Sequence, residues 1–149
     1  MHSPVSTLTI RPVDETDIGA IVRIDEKING QYRPEVWERR ISYYVRRDPE
    51  CSLVAEEGGQ VVGFMLGEVR SGEFGLEEPT GWIGVLGVDP AARGKAAGRQ
   101  LAEAMFAHFR ARGVRSVRTM VEEERPELER FFAALGFASA TLKPLVKRL

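Results

Sequence analysis

The chain has 149 residues, 43% hydrophobic and 29% charged, enough for one continuous core and too apolar for a disordered chain. Its 21 basic and 22 acidic residues leave a formal net charge of -1, so no general basic excess points to nucleic acid or to an anionic membrane surface. Cys51 is the single cysteine, which excludes an internal disulfide and reads as a small core or edge residue rather than a nucleophile. The opening residues lack the basic segment and apolar run of a signal peptide, and no stretch approaches the ~18 apolar residues of a membrane span. These features predict one cytoplasmic domain over residues 1–149.

In chain order, Leu8 to Val13 alternates as a first strand ended by Pro12. Thr16 or Asp17 can cap a helix with apolar positions Ile18, Ile21, Val22, Ile24 and Ile28, stopped by Asn29-Gly30. Pro34 opens a second helix with Trp37, Ile41, Tyr44 and Val45 on one face, ended by Asp48-Pro49. Ser52 to Glu56 and Val61 to Arg70 flank Glu57-Gly58-Gly59-Gln60 as an antiparallel hairpin. After a loop from Ser71 to Thr80, Trp82 to Val88 is an apolar run, as in a strand buried on both faces. Its internal glycines mark a bulge or a close approach to the backbone. A long helix follows from about Gly94 to Arg112, then a strand from Val114 to Val121. A short helix opened by Pro126 comes next, and a last strand from Ala138 to Lys147 made irregular by Pro144. The order β-α-α-β-β-β-α-β-α-β predicts a mixed α/β (α+β) fold, one sheet with helices on both faces.

The segment that carries chemistry runs from Val85 to Leu101: a buried strand, a turn, then small and basic residues leading into a helix. The first amides of a helix have no intrahelical partners and its dipole favours negative charge there. Gly94, Ala96, Ala97 and Gly98 are small enough to let a diphosphate reach those amides, and Arg93, Lys95 and Arg99 add positive charge. The segment has neither the Gly-Lys-Ser/Thr of a nucleotide P-loop nor G-x-G-x-x-G, which weakens NTPase and dinucleotide readings.

This segment resembles the central motif of the GNAT superfamily of acyl-coenzyme A N-acyltransferases, a loop of the form Arg/Gln-x-x-Gly-x-Gly/Ala after a strand ending in Val-x-Pro. Arg93 and Gly98 match its ends, and Ala96 replaces the usual inner glycine. Glu127 to Phe137 is similar to the second family motif, with its Phe-Tyr-x-x-x-Gly-Phe ending. The resemblance covers nearly the whole chain. It implies acetyl transfer from acetyl-coenzyme A, a cosubstrate, to a primary amine with no covalent enzyme intermediate and no metal. It also places the pantetheine arm on Leu86, Gly87 and Val88, where this strand splays from Val117 to Val121. The thioester carbonyl then faces a backbone N–H near Leu86 or Gly87. Two positions depart from the family: Arg125 stands where an Asn often precedes the helix, and Phe132 where a Tyr often protonates the thiolate. The thiolate must then take its proton from another group, from water or from the product ammonium.

An amine attacks only when neutral, so a carboxylate base is sought. Glu68, late in the third strand, is the first candidate, followed by Glu73, Glu77 and Glu78 in the next loop and by Glu122. Asn29 to Arg33 corresponds to the segment that shapes the acceptor pocket in the resembling family. His2, His108 and Cys51 are too far apart in sequence for ligand spacing, and no metal site is expected. The partners implied are acetyl-coenzyme A and an amine on a protein or small molecule, with the protein a monomer or a homodimer built on its last strand. The missing Tyr supports one rival reading, a non-catalytic acyl-coenzyme A sensor or regulatory module.

Overall fold

The computed structural model describes residues 8–93 and 96–149. Five strands form one sheet in the order β1 (Leu8–Pro12), β2 (Ser52–Glu57), β3 (Gln60–Arg70), β4 (Thr80–Val88) and β5 (Val117–Arg118). The first four are antiparallel neighbours, and β5 runs parallel to β4. Gly58 and Gly59 supply the positive φ angles, 58° and 78°, that a two-residue hairpin between β2 and β3 demands.

Alternation along the strands separates two cores. Leu53, Ala55, Met65 and Ile83 face α3 (Ala97–Ala111) and α4 (Pro126–Ala134), meeting Leu101, Met105, Phe109 and Phe132. Val54, Phe64 and Leu66 face the other way, onto Ile21, Ile24, Trp37 and Ile41 of α1 (Ile18–Asn29) and α2 (Pro34–Arg47). The helical stripes read from the sequence are the buried ones. Cys51 lies wholly inside, where burial first and then the Asp48 charge push its thiol up to about 11, so it is inert packing.

Several boundaries differ from expectation. Asp14 caps a short 3-10 turn (Glu15–Asp17) in a capping box with Asp17, and α1 starts only after it. The strand expected over Val114 to Val121 shrinks to Val117–Arg118, and the helix expected from Gly94 begins at Ala97. The last strand, expected over Ala138 to Lys147, is not formed. A two-residue β5 offers almost no edge to pair with, and Pro144 removes a donor. Leu145 and Val146 stand 87% and 94% exposed instead.

Candidate active site

The sheet opens where β4 and β5 part. Their pairing is limited to Gly81 with Val117 and Trp82 with Arg118. One residue later the hydroxyl of Thr119 donates to the Ile83 carbonyl at 2.9 Å. Beyond that point β4, from Gly84 to Val88, has no strand partner on the β5 side among the described residues. A strand edge of this kind presents free N–H and C=O groups to a ligand.

At the head of the open stretch sits a bulge. Leu66 pairs with Val85 and Gly67 with Ile83, so Gly84 is the extra residue. The bulge therefore lies ahead of Leu86 and Gly87, where the family resemblance placed the carbonyl-polarising amide. Gly87 is glycine for another reason: a Cβ there would come within 2.8 Å of the Phe64 ring. Gly84 is exposed, and a Cβ on it would stand 1.9 Å from the Tyr44 hydroxyl.

Below the open edge, the chain turns through Pro90–Ala92, where Asp89 accepts from the Ala91 amide at 3.0 Å and pairs with Lys27 at 2.9 Å. It then enters α3 with Ala96 as the residue before the helix. Ala96 holds φ 64° and ψ 15°, a left-handed conformation that glycine adopts freely and alanine does not, and it gives no side-chain cap. The usual inner glycine of the motif thus has a backbone reason, and the leading amides of α3 are left uncapped by any side chain. Arg93 and Arg99 are exposed on either side. Gly94 and Lys95 lie outside the described residues.

Ala97 and Gly98 are buried, Gly98 beneath the ring of Phe131, with an added Cβ 2.9 Å from Phe131 Cε1. Arg125 precedes α4 without capping it and pairs with Glu127 at 3.1 Å. Phe132 is 3% exposed, set edge-on between Phe131 and Phe137 at 5.1 Å from each. Its closeness to a thioester rests on the family resemblance, since its ring is held in the core beside α3.

On the opposite face, Glu68 is 1% exposed. Its Oε1 accepts from Tyr43 at 3.3 Å and from Arg70 Nε, while Oε2 is buried without a partner. Arg70 also stacks over Trp82 at 5.5 Å and reaches Glu73 at 3.6 Å. Glu77, Glu78 and Glu122 are exposed. The Asn29 to Arg33 connection is pinned by Asp25, a buried carboxylate that accepts from Asn29 at 2.7 Å and from Arg33 at 2.7 and 3.1 Å. The sequence reading missed Asp25, Arg70 and the position of Tyr44. The Gly84 in Trp82-Ile83-Gly84-Val85 was the available signal for the last.

The model of the acetyltransferase (GNAT) family matches residues 18–137. This chain belongs to that family. It is 37% identical over 101 residues to the mycothiol acetyltransferase of Thermobispora bispora, covering 68% of this chain and 34% of that protein. The chain thus spans about a third of that relative's length. Among solved structures, Ard1 from Thermoplasma volcanium is 28% identical with a TM-score of 0.76, covering 90% of this chain and 84% of that one. The fold is also that of aminoglycoside N-acetyltransferase AAC(6')-Iy in complex with CoA, at TM-score 0.84, 17% identity and 99% coverage of both chains. No helix among the described residues of this GNAT chain is long and apolar enough to cross a membrane.

Proposed function

We propose that residues 1–149 of this GNAT chain form one acetyltransferase domain, cytoplasmic, that carries the acetyl group of acetyl-coenzyme A directly to a primary amine. The observation that carries this reading is the β5-side edge of β4 from Gly84 to Val88, without a strand partner among the described residues, which leads within a few residues to the uncapped amides of α3. An extended amide chain fits the edge, and a diphosphate fits the helix start. Leu86, Gly87 and Val88 would take the pantetheine, with Arg93, Gly94, Lys95, Ala96, Ala97, Gly98 and Arg99 around the pyrophosphate and Arg125 and Phe132 alongside. Glu68 is the proposed base, acting through its unpartnered Oε2 directly or through a water. Family membership and the mycothiol acetyltransferase relative support acetyl transfer as the reaction.

The test is thiol release from acetyl-coenzyme A against a panel of amines: aminoglycosides, mycothiol-related amines, polyamines, amino acids and peptides with a free N-terminus or lysine. Acceptor-dependent turnover is the expected result. Saturable binding with no turnover on any acceptor would give the site to the sensor reading that Phe132 favours. Binding coenzyme A no better than ADP would remove the edge assignment.

A further inference from the structure

We propose that the Tyr44 hydroxyl is the proton donor to the departing thiolate, doing from α2 what Phe132 on α4 has no hydroxyl to do; this rests on the acetyl-transfer reading above. Tyr44 lies three residues beyond Ile41 on the inner face of α2, with its ring edge-on to Tyr43 at 5.0 Å. That packing aims the hydroxyl at the one β4 residue where the strand bulges. A Cβ on Gly84 would stand 1.9 Å from Tyr44 Oη and 2.8 Å from Cζ, so only glycine admits the phenol there. Gly84 is also exposed and heads the stretch of β4 that has lost β5. The phenol therefore meets the backbone where the edge becomes available to a ligand.

The hydroxyl has no hydrogen bond to any described residue, although the ring is half-buried. Unlike Glu68 Oε2, the Tyr44 oxygen is not a buried atom without a partner; it is open to solvent, so its proton can pass to a ligand that takes the place of water at the bulge. Its neighbours hold that proton in place. Burial foremost, and then the Glu68 charge, push the phenol above its ordinary range, so it remains a neutral donor at physiological pH. Tyr43, one residue earlier, is already committed: its hydroxyl donates to Glu68.

The amine nitrogen forms a bond to the thioester carbon and gives its surplus proton to Glu68 Oε2. As the C–S bond breaks, Tyr44 Oη–H gives its proton to the sulfur, releasing a neutral thiol. The proton on Glu68 then passes to the Tyr44 phenolate, directly or through solvent, and both groups return to their starting state.

Tyr44→Phe keeps the ring and removes only the hydroxyl, so thermal unfolding should match the wild type. With acetyl-coenzyme A and the best acceptor of the amine panel, kcat should fall by about 10²-fold or more, the scale of a lost general acid. KM for acetyl-coenzyme A should move less than about threefold, and the solvent deuterium isotope effect on kcat should differ from the wild type. Wild-type kcat and an unchanged isotope effect in Tyr44→Phe would overturn the proposal and leave the acetyl-transfer reading standing. A defect confined to the KM of the amine would also overturn it, making Tyr44 a positioning residue for the acceptor. Absence of turnover by the wild type on every acceptor would refute both readings.

Discussion

Ala96→Gly should stabilise this protein, and the reason is backbone geometry rather than any contact. Ala96 sits at φ 64°, ψ 15° immediately before α3. A left-handed conformation costs a residue with a Cβ about 1–2 kcal/mol, and glycine almost nothing. Glycine also frees the unfolded chain, which returns roughly 0.4–1 kcal/mol of that gain. The net is a stabilisation of about 0.5–1 kcal/mol, or roughly 1–4 °C in Tm for a chain of this size. Urea unfolding without ligand measures it as a higher midpoint at unchanged m-value. Ala97→Gly is the control. Ala97 is 2% exposed and helical, so the same change one residue on should destabilise by about 1 kcal/mol or more through lost propensity and packing. If Ala96→Gly is neutral or destabilising while Ala97→Gly behaves as stated, the left-handed geometry at position 96 is wrong.

Glu68→Gln should lower turnover by roughly 10²–10⁴ while coenzyme A affinity in calorimetry stays near wild type; a variant that keeps its rate would move the base to the loop glutamates or water. Gly98→Ala should destabilise by about 1 kcal/mol, because the new Cβ meets Phe131 Cε1 at 2.9 Å, and the loss should shrink in a Phe131→Leu background. The Asp17 carboxyl is held below its ordinary range by hydrogen bonds from Arg11 at 2.7 and 2.8 Å, against the opposing effect of burial. A depressed folded pKa gives stability that is fully present above the unfolded value of about 3.9 and lost as pH falls through the folded one. Asp17→Asn should therefore be less stable than wild type at pH 7, with the gap closing below about pH 4 in urea titrations.

The parts legible in the sequence were those fixed by local chemistry. Helical stripes such as Ile21-Val22-Ile24 and Leu101-Met105-Phe109, and the Gly58-Gly59 hairpin, need only periodicity and turn stereochemistry, and the structure buries or bends them as read. What failed depended on a partner elsewhere in the chain. Ala138 to Lys147 carries apolar residues enough for a strand, but a strand needs an edge, and β5 supplies two residues of one. Asp25 was invisible for the same reason: its meaning comes from Asn29 and Arg33 folding back onto it.

The glycines show this limit most sharply, and also what the structure adds. A glycine in an apolar strand or at a helix start marks a bulge or a close approach to the backbone, and at Gly87 and Gly98 the family resemblance gave that space to coenzyme A. In the fold, much of it belongs to the chain's own rings. A Cβ would meet Phe109 at Gly81, Phe64 at Gly87 and Phe131 at Gly98, each within 2.7–2.9 Å. Those glycines serve packing, and two of the three faces they serve are the contacts that hold α3 and α4 against β4 and against each other. Gly84 is different in kind. The atom nearest its missing Cβ is a hydroxyl oxygen, the residue is exposed, and the strand beyond it has no partner on the β5 side among the described residues. Aromatic carbon over glycine is satisfied by the contact itself, whereas a hydroxyl bonded to no described residue keeps its proton free for water or a ligand. Gly67, too, is closed by its own chain, against the Trp82 carbonyl at 2.8 Å and Met105 Sδ at 2.9 Å; of the five approaches under 3 Å, only the one at Gly84 brings a side-chain hydroxyl to the open part of β4.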